Sequence, residues 1–351
     1  MYRNTYVEVN LNNIKYNINK FIKKYNNYNY YFGVVKADCY GHNGIDVVKT
    51  IIDAGCNYLA VATLDEAIEI RNEIKDIPIL VLGIVNESYI DICIENNITI
   101  TISNLEYFKK ILPLKHDSLK VHIKINTGMN RLGIKDKNEL TQIYNLLKND
   151  TFILEGIYTH IYNPSSENDT LRQYHAFEEI TSVINLNEIP IVHVGASDAT
   201  MYYEKRPYAN GCRLGIVMYG LTENYNDFRS TFSLYSEVIQ INELNNEVLG
   251  YNGSYKSNGK EFIAVIPIGY ADGIIRKNTG RFVYINNKSY EIVGNICMDM
   301  LFVKVDNSVK VGDKVAIIKD NKHIFEISEH LDTIPYEVLC SVSKRVPRIY
   351  V

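Results

Sequence analysis

The chain has 351 residues, of which 46% are hydrophobic and 22% are charged, a balance typical of a soluble globular protein that can hold two domains. A net charge of −4 without a basic run argues against nucleic-acid binding, and no apolar stretch reaches the roughly 18 residues of a membrane span. The six cysteines are scattered without a CxxC pair, which argues against a disulfide framework or a metal site and favours the reducing cytoplasm.

Strand and helix patterns alternate through roughly the first 220 residues. Tyr6–Asn10 is strand-like, and a helix with Asn10 as its N-cap follows; further capping boxes are predicted at Thr63 with Glu66 and at Ser103 with Glu106. The segments with strand character are Tyr30–Val35, Tyr58–Val61, Ile79–Leu82, Ile98–Ile102, Lys120–Ile125, Phe152–Tyr158, Ile191–Val194 and Gly211–Arg213. This α/β pattern predicts a (β/α)8 barrel of the TIM type. A doubly wound open sheet is the alternative, although no strand is followed by GxGxxG.

A second, mainly β domain is predicted after Leu221, where short alternating segments are separated by Asn, Gly and Asp clusters. The predicted strands are Phe232–Asn242, Phe262–Pro267, Phe282–Ile285, Tyr290–Val293, Leu301–Val305 and Lys314–Ile318. The boundary is placed near Glu223–Arg229, which gives a barrel over residues 11–225 and a second domain over 226–351. The first strand, within residues 1–10, precedes the barrel and is expected to join the second domain.

Lys36 ends the apolar run of the first barrel strand. A lysine at the carboxyl end of a buried strand is costly to desolvate unless it is paired or takes part in chemistry. Two interpretations are open at this point: a lysine whose stem is buried while its ammonium reaches water, or a lysine that forms a Schiff base.

The carboxyl ends of the other predicted strands also carry polar residues, and in a barrel of this class those ends surround the active site. The candidates are Lys36, Tyr40, Arg131, His160, His193, Ser197, Arg213 and Gly215. Each has a structural explanation of its own, such as a hydrogen-bonded core histidine or an arginine in a surface ion pair. Together they suggest an anionic ligand, and Ser197 and Gly215 follow the two strands where such barrels commonly hold a phosphate. A Schiff-base lysine beside a phosphate site indicates pyridoxal 5'-phosphate (PLP).

The predicted second domain contains two further segments, Gly269-Tyr270-Ala271-Asp272-Gly273 and Cys297-Met298-Asp299. A Tyr-Ala-Asp-Gly turn needs no function to explain it. Cys297 has no cationic neighbour in sequence that would favour its thiolate, so a small buried residue is the simpler interpretation.

With these motifs in place, the chain resembles the alanine racemase family of fold-type III PLP enzymes. The resemblance runs from about Thr5 to Tyr350 and rests on five motifs that occur in order at the family's spacing. They are Val34-Val35-Lys36-Ala37 through Tyr40-Gly41-His42, Thr127-Gly128-Met129 through Arg131-Leu132-Gly133, Arg213-Leu214-Gly215-Ile216, Gly269-Tyr270-Ala271-Asp272-Gly273 and Cys297-Met298-Asp299.

The resemblance implies roles for individual residues. Lys36 would hold PLP as a Schiff base, and Arg213 would face its pyridine nitrogen. The phosphate would be bound by Tyr40, Ser197, Tyr336 and the amides of Gly215 and Ile216. Arg131 would contact the cofactor's phenolic oxygen and the substrate carboxylate, and Lys124 matches a lysine that is often carbamylated and supports that arginine. His160 would link Arg213 to Tyr270.

The family also implies a mechanism and an assembly. Lys36 and Tyr270 would act as two bases on opposite faces of the substrate α-carbon, so that L-alanine and D-alanine are interconverted and D-alanine is supplied for cell-wall peptidoglycan. Tyr270 and Met298 would come from the partner subunit, because family members are homodimers with shared active sites.

Several positions depart from the family. Ala196 and Asp198 flank Ser197 where Asn-Ser is usual, Asn126 stands where aspartate is common, and Asn295 stands where many members carry an arginine at the substrate entrance. The chain ends at Val351, which is short for the family. A natural short form and the catalytic half of a longer, membrane-anchored protein are both open.

Alternative functions also remain open at the level of sequence. A serine or broad-specificity racemase would have the same fold and chemistry, although Tyr336 favours alanine. A non-catalytic PLP carrier resembles the barrel alone and lacks the second domain. A decarboxylase of this fold type would need an acidic residue where Arg213 stands.

Overall fold

The computed structural model describes residues 2–114, 119–148, 152–222 and 227–351. The chain divides into two compact units. The barrel unit comprises residues 15–39 and 44–218, and the sheet unit comprises residues 1–14, 40–43 and 219–351. The boundary predicted near Glu223–Arg229 falls partly on 223–226, outside the described residues, and the bounds 11–225 and 226–351 stay a prediction.

The described part of the barrel unit contains a closed barrel of eight parallel strands, β2 to β9, which pair in chain order. Their bounds are β2 Tyr30–Val34, β3 Tyr58–Val61, β4 Ile79–Val81, β5 Ile98–Ile102, β6 Lys120–Lys124, β7 Ile153–Tyr158, β8 Ile191–Ala196 and β9 Gly211–Leu214. The barrel closes where β2 pairs with β9, with Tyr30 opposite Gly211. This closure confirms the predicted barrel and excludes the open sheet.

Helices cover the outer faces of the barrel strands and the closed barrel buries the inner faces, which is why the strands are apolar runs and do not alternate. Every residue of β3 and of β5 is buried. The helices of this part of the chain are Leu11–Lys24, Ile45–Asp53, Leu64–Glu73, Ile90–Glu95, Leu105–Ile111, Lys137–Lys148, Glu167–Thr181 and Ser197–Tyr202. Across the described ranges, no helix combines the length and apolar character needed to cross a membrane.

The predicted helix caps can be compared with hydrogen bonds. The Asn10 cap is confirmed, since its Oδ1 accepts from the Asn13 amide at 2.8 Å, and so is the capping box of Thr63 with Glu66. The box predicted at Ser103 is wrong by one residue. Asn104 is the N-cap, because its Oδ1 accepts from the Tyr107 amide at 2.7 Å.

In the sheet unit, the described strands form a nine-stranded sheet in the order β11-β14-β17-β16-β15-β18-β10-β1-β19. A separate small hairpin pairs β12 with β13. The bounds are β1 Tyr6–Val9, β10 Phe232–Glu237, β11 Gln240–Asn245, β12 Val248–Leu249, β13 Tyr255–Lys256, β14 Lys260–Ile266, β15 Phe282–Ile285, β16 Lys288–Val293, β17 Leu301–Val305, β18 Lys314–Ile318 and β19 Arg348–Tyr350. Two helices, Asn321–Leu331 and Pro335–Cys340, complete the described part of this unit. The mainly β second domain is therefore confirmed as a fold class.

The prediction of one strand over Phe232–Asn242 is wrong. The chain breaks after Glu237, because β10 pairs with β1 and β18 whereas β11 pairs with β14 at the opposite end of the sheet. The alternation of polar and apolar residues continues through the break, so the sequence carries no sign of it.

The first strand lies inside the sheet unit. β1 pairs antiparallel with β10 and parallel with β19, so the two ends of the chain are neighbours in one sheet. Arg3, just before β1, forms two hydrogen bonds with the buried carboxylate of Asp272, at 2.8 and 3.0 Å. The same carboxylate accepts from the Gly269 amide at 3.1 Å, which ties the start of the chain to the Gly269–Gly273 turn.

Replacing Asp272 should therefore destabilise the sheet unit. We expect Asp272→Asn to lower the free energy of unfolding by about 3 kcal/mol, because it removes the charge that compensates a partly buried arginine. Urea unfolding followed by circular dichroism measures the change. The control is Glu243→Gln, in an exposed pair with Lys260 at 2.9 Å, which should change stability by no more than about 0.5 kcal/mol. Equal effects from both variants would contradict the structural role of Asp272.

Candidate active site

Lys36 lies at the carboxyl end of β2, half-buried, and a left-handed turn follows it. Ala37, Asp38, Cys39 and Tyr40 all have φ between 52° and 55°. Four successive non-glycine residues in this region are unfavourable, because each Cβ crowds the following carbonyl. Such strain is found mainly at functional sites, where the surrounding structure enforces it. The sequence predicted only a turn here.

Glu66 holds the start of this turn. Its Oε1 accepts from the Ala37 amide at 2.7 Å, and its Oε2 accepts from the amides of Ala62 at 2.7 Å and Thr63 at 3.3 Å. The capping-box glutamate thus connects the beginning of one helix to the residue after Lys36. It restrains the backbone from which the lysine projects.

Arg213, in β9, is 3% exposed and is held by four acceptors. Nη1 donates to Nδ1 and to the carbonyl of His193, both at 2.9 Å. Nη2 donates to the Thr159 carbonyl at 2.7 Å and faces Nδ1 of His160 at 3.3 Å. Among the residues that the structure describes, Nε has no hydrogen-bond partner. The guanidinium is therefore fixed in direction, with one donor left for a ligand.

Positive charges dominate the electrostatics of this rim. Burial and the charges of Arg213 and Arg131 hold the pKa of Lys124 well below its ordinary value. Burial and the charges of Arg213, Lys124, Arg131 and Lys36 hold the pKa of His160 well below its ordinary value. Burial also lowers the pKa of Arg213, to about 10, so this side chain stays charged at neutral pH. The rim thus combines a charged Arg213 with a histidine that is neutral at pH 7 and a lysine whose pKa is lowered.

The loop after β6 carries Arg131, which is exposed. The loop folds back on the strand, because the Ile134 amide donates to the Lys124 carbonyl at 2.9 Å. Gly133 permits this approach, since its φ is +115° and a Cβ there would lie 2.8 Å from the same carbonyl oxygen. Asn126 closes the loop by accepting from the amides of Gly128 and Asn130 at 3.1 and 3.0 Å. An amide oxygen at position 126 therefore shapes the loop without adding a negative charge.

Ser197 begins the short helix after β8, and its hydroxyl meets the backbone after β9. Oγ accepts from the Gly215 amide at 3.0 Å and from the Val217 amide at 3.4 Å. The two segments predicted to bind a phosphate are thus brought together at Ser197. Of the departures beside it, Ala196 ends β8 and Asp198 lies in the first turn of the helix.

The remaining predicted site residues belong to the sheet unit. The rings of Tyr40 and Tyr336 lie 6.3 Å apart, and burial raises the pKa of Tyr40, which keeps its hydroxyl protonated. Tyr270 and Met298 lie on two neighbouring turns, since the amides of Tyr270 and Ala271 donate to the carbonyls of Cys297 and Met298 at 3.0 Å. Their side chains are 42% and 52% exposed, respectively. Sequence reasoning did not find that these two turns pack on each other.

Two polar residues inside the barrel were also missed by sequence reasoning. His122, in β6, faces His193, with Nδ1 of His122 3.0 Å from Nε2 of His193. Glu155, in β7, lies on the other side of His122 and accepts from the Tyr58 hydroxyl at 2.5 Å and the Thr99 hydroxyl at 3.0 Å. The sequence did contain one sign of these residues, because each is a polar residue inside an otherwise apolar strand.

Comparison with known proteins agrees with this geometry. Residues 9–223 match the alanine racemase N-terminal domain and residues 231–350 match the alanine racemase C-terminal domain. The chain belongs to the alanine racemase family. Alanine racemase from Anoxybacillus flavithermus is 34% identical over 99% of this chain and 95% of its own length, and alanine racemase 1 from Bacillus subtilis is 34% identical over 99% and 93%.

Solved structures of alanine racemases have the same fold. The enzyme from E. faecalis superposes with a TM-score of 0.94 at 32% identity, covering 99% of this chain and 98% of that chain. The enzyme from Bacillus anthracis, solved with bound L-Ala-P, gives a TM-score of 0.93 at 33% identity, covering 100% and 96%. The family expected from the sequence motifs is confirmed.

The lowered pKa of Glu155 can be tested by measuring how the stability of the protein depends on pH. Burial alone would raise this pKa, but hydrogen bonds from His122, Tyr58 and Thr99 lower it from 4.5 to about 2. The carboxylate therefore stabilises the fold above about pH 4.5, and this contribution is lost as the pH falls toward 2. We expect the stability difference between the natural chain and Glu155→Gln to shrink by about 3 kcal/mol between pH 5 and pH 2.

Urea unfolding at a series of pH values measures this difference. Glu95→Gln, at an exposed side chain, is the control and should give a small difference that does not vary with pH. A Glu155→Gln difference that is constant from pH 5 to pH 2 would contradict the depressed pKa.

Proposed function

We propose that this protein is an alanine racemase that interconverts L-alanine and D-alanine with PLP as its cofactor. The observation that carries the proposal is the match to alanine racemases over 99% of the chain, through both family domains, together with Lys36 at the rim that holds Arg131, His160 and Arg213. We further propose that the D-alanine made serves peptidoglycan synthesis in the cytoplasm, a reducing compartment that suits the six free cysteines.

The donor set of the barrel rim fits PLP. Arg213 holds one donor, Nε, without a partner among the described residues, which suits the aromatic nitrogen of the cofactor. The hydroxyl of Ser197 lies at the amides of the Gly215 segment, which suits a phosphate. We assign the phosphate to Tyr40, Ser197, Tyr336 and the amides of Gly215 and Ile216, and the covalent attachment to Lys36. None of the acidic residues in the described ranges pairs with Arg213, so the ring nitrogen would meet a donor and stay unprotonated.

Bound PLP supplies an electron sink that acidifies the α-proton of an amino acid joined to it as an imine. The residues of this chain then divide the remaining work. Arg131 binds the substrate carboxylate, and Lys36 Nζ removes or returns the α-proton on one side. Tyr270 Oη does the same on the other side, so the stereocentre inverts.

His160 would support Tyr270 in this role. Arg213 donates toward Nδ1 of His160, so the proton of the neutral ring lies on Nε2. An imidazole N–H of fixed tautomer stabilises a phenolate oxygen by donating to it. We therefore assign His160 to hold the charge that forms on Tyr270 when it gives up its proton.

Lys124 is proposed to be carbamylated. Only an uncharged amine reacts with carbon dioxide, and the pKa of Lys124, held well below its ordinary value by burial, favours the uncharged amine. Lys124 has no carboxylate partner among the described residues. Its carbamate would place a negative charge beside Arg131 and Arg213. It would hold Arg131 in position for the substrate.

A homodimer with shared active sites is proposed as the assembly. Tyr270, Ile275, Met298 and Met300 are all large apolar residues with 42–52% of their surface exposed. A cluster of exposed apolar side chains around two packed turns favours burial against a second copy of the chain. In this arrangement Tyr270 and Met298 complete the site of the partner subunit.

The other functions considered from the sequence are not favoured. Named relatives over the full length are alanine racemases, which gives no support to a preference for serine. The match of residues 231–350 to the C-terminal domain argues against a carrier made of the barrel alone. A decarboxylase would need an acidic residue in place of Arg213.

Removing the amine of Lys36 tests the attachment of the cofactor. Lys36→Ala should lose the visible absorbance that PLP gives when it is bound as a Schiff base, together with racemase activity, because no other amine stands at this position. Spectra recorded after incubation with PLP and gel filtration measure the band. Lys49→Ala, on the helix Ile45–Asp53, is the control and should keep it. A Lys36→Ala protein that keeps the band would refute the assignment.

Replacing Tyr270 tests the two-base mechanism. Tyr270→Phe should slow proton abstraction from L-alanine at least about tenfold more than abstraction from D-alanine, because only one of the two bases is lost. Exchange of the α-proton in deuterated water, followed separately for each enantiomer, measures the asymmetry. Tyr89→Phe, at another exposed tyrosine, should leave both rates unchanged. Equal losses for both enantiomers in Tyr270→Phe would rule out the assigned roles.

Mixing the two inactive variants tests the shared sites. If subunits exchange at random, half of the dimers contain one Lys36→Ala and one Tyr270→Phe chain, and each of these has one intact site. About one quarter of the natural activity should then return. Native mass spectrometry confirms that exchange took place. No recovery after confirmed exchange would contradict the arrangement.

A further inference from the structure

The interior of the barrel unit contains a continuous line of polar side chains that ends at Arg213. From Arg213 Nη1 the line passes to Nδ1 of His193 at 2.9 Å, and from Nε2 of His193 to Nδ1 of His122 at 3.0 Å. Nε2 of His122 then lies 3.3 Å from Oε2 of Glu155, an ion-pair distance without hydrogen-bond geometry, and makes no hydrogen bond with the described residues. Each member lies on a different barrel strand, and all four belong to the barrel unit.

The chemistry of these groups sets the position of each proton. An arginine can only donate, so Nδ1 of His193 must accept and its Nε2 must carry the proton. This proton is donated to Nδ1 of His122, so the proton of His122 also lies on Nε2, toward the carboxylate of Glu155. Burial lowers the pKa of both rings below the ordinary value for histidine, so both are neutral at pH 7. The N–H groups along the line therefore all point the same way, from the arginine toward the carboxylate.

The far end of the line is anchored by the carboxylate. The hydroxyls of Tyr58 and Thr99 donate to the same oxygen of Glu155 that faces His122, at 2.5 and 3.0 Å. The side chain of Glu155 is 16% exposed and that of His122 is fully buried. A carboxylate with two hydroxyl donors is a stable acceptor for the imidazole proton.

Aromatic rings and a glycine pack closely around the two histidines. Phe32 and Tyr158 stack on His193 with ring centroids at 4.4 and 4.7 Å, so they cover opposite faces of the imidazole. Gly156 makes space for His122, since a Cβ at that position would lie 2.5 Å from its ring. A residue larger than glycine would push His122 out of line.

We propose that Glu155, His122 and His193 are positioning residues, which hold Arg213 in one orientation and leave its Nε as the donor for the ring nitrogen of the cofactor. The role toward the cofactor rests on the proposed function. In this arrangement the carboxylate, two hydrogen bonds and one 3.3 Å contact away, balances the charge of an arginine that has no acidic partner of its own in the described ranges. It does so without placing a carboxylate at the ring nitrogen.

The tautomers are tested first in the natural holoenzyme, without any substitution. Long-range ¹H–¹⁵N NMR spectra of protein labelled with ¹⁵N-histidine distinguish the two neutral tautomers from the imidazolium. We expect His122 and His193 to be neutral with the proton on Nε2. A proton on Nδ1 of either ring, or a charged ring, would overturn the proposal. Single His→Gln variants assign the two signals.

The effect on Arg213 is tested with Glu155→Gln, in which an amide oxygen replaces the charged acceptor. The signal of the His122 Nε2 proton should move upfield, and the visible absorbance maximum of the bound cofactor should shift. We expect kcat for L-alanine to fall about tenfold with KM changed less than twofold, because the hydrogen bond to a charged group is weakened while Arg131 is untouched. Glu155→Asp, which keeps the charge, should recover at least half of the lost kcat.

Glu178→Gln is the matched control, since this carboxylate also accepts from an arginine and a tyrosine, Arg206 and Tyr208, but lies outside the line. It should change neither the cofactor spectrum nor the kinetics. If Glu155→Gln leaves both unchanged as well, the proposal is overturned. If the natural protein neither binds PLP nor racemises alanine, the proposed function fails, and the histidine spectra still decide whether the line exists as described.

Discussion

The burial of positive charge at the carboxyl ends of the barrel strands is the constraint on which the rest of the site depends. Arg213 and Lys124 are 3% and 8% exposed, and within the described ranges neither has an acidic partner. An unpaired buried charge is expensive, so each group must change its protonation state or be stabilised by dipoles and ligands. The pKa of Lys124 is held well below its ordinary value, which disfavours the charged amine, and Arg213 is stabilised by two carbonyls and two imidazoles.

The chemistry of the site follows from that constraint. The rim combines cationic side chains, a neutral histidine and a serine hydroxyl beside backbone amides, and this set of groups supports the proposed binding of a phosphate and a carboxylate. The barrel interior also holds buried polar groups, which pack closely against their neighbours. His193 lies between two aromatic rings, and the absence of a side chain at Gly156 leaves space for His122. Buried polar groups destabilise a barrel core unless they have polar partners, and here each histidine has a polar neighbour at both ring nitrogens.

The sheet unit supplies a different kind of order. Its two turns, Gly269–Gly273 and Cys297–Asp299, are held together by backbone hydrogen bonds and leave Tyr270 and Met298 exposed. The buried Asp272 fixes the first turn to Arg3, whose neighbour strand β1 lies between β10 and β19. The hydrogen bonds between the paired turns fix the backbone from which Tyr270 projects, as its proposed role requires.

The amino-acid sequence by itself determined the barrel, all eight of its strands within about two residues, the family and the residue types at the rim. It could do so because apolar periodicity and motif spacing are local properties. Only the tertiary structure decided which interior residues meet. His122 and Glu155 are 33 positions apart and look like ordinary strand residues, yet they are neighbours because β6 and β7 pair. The left-handed turn after Lys36, the break after Glu237 and the cap at Asn104 likewise depend on contacts with distant segments, which no local pattern encodes.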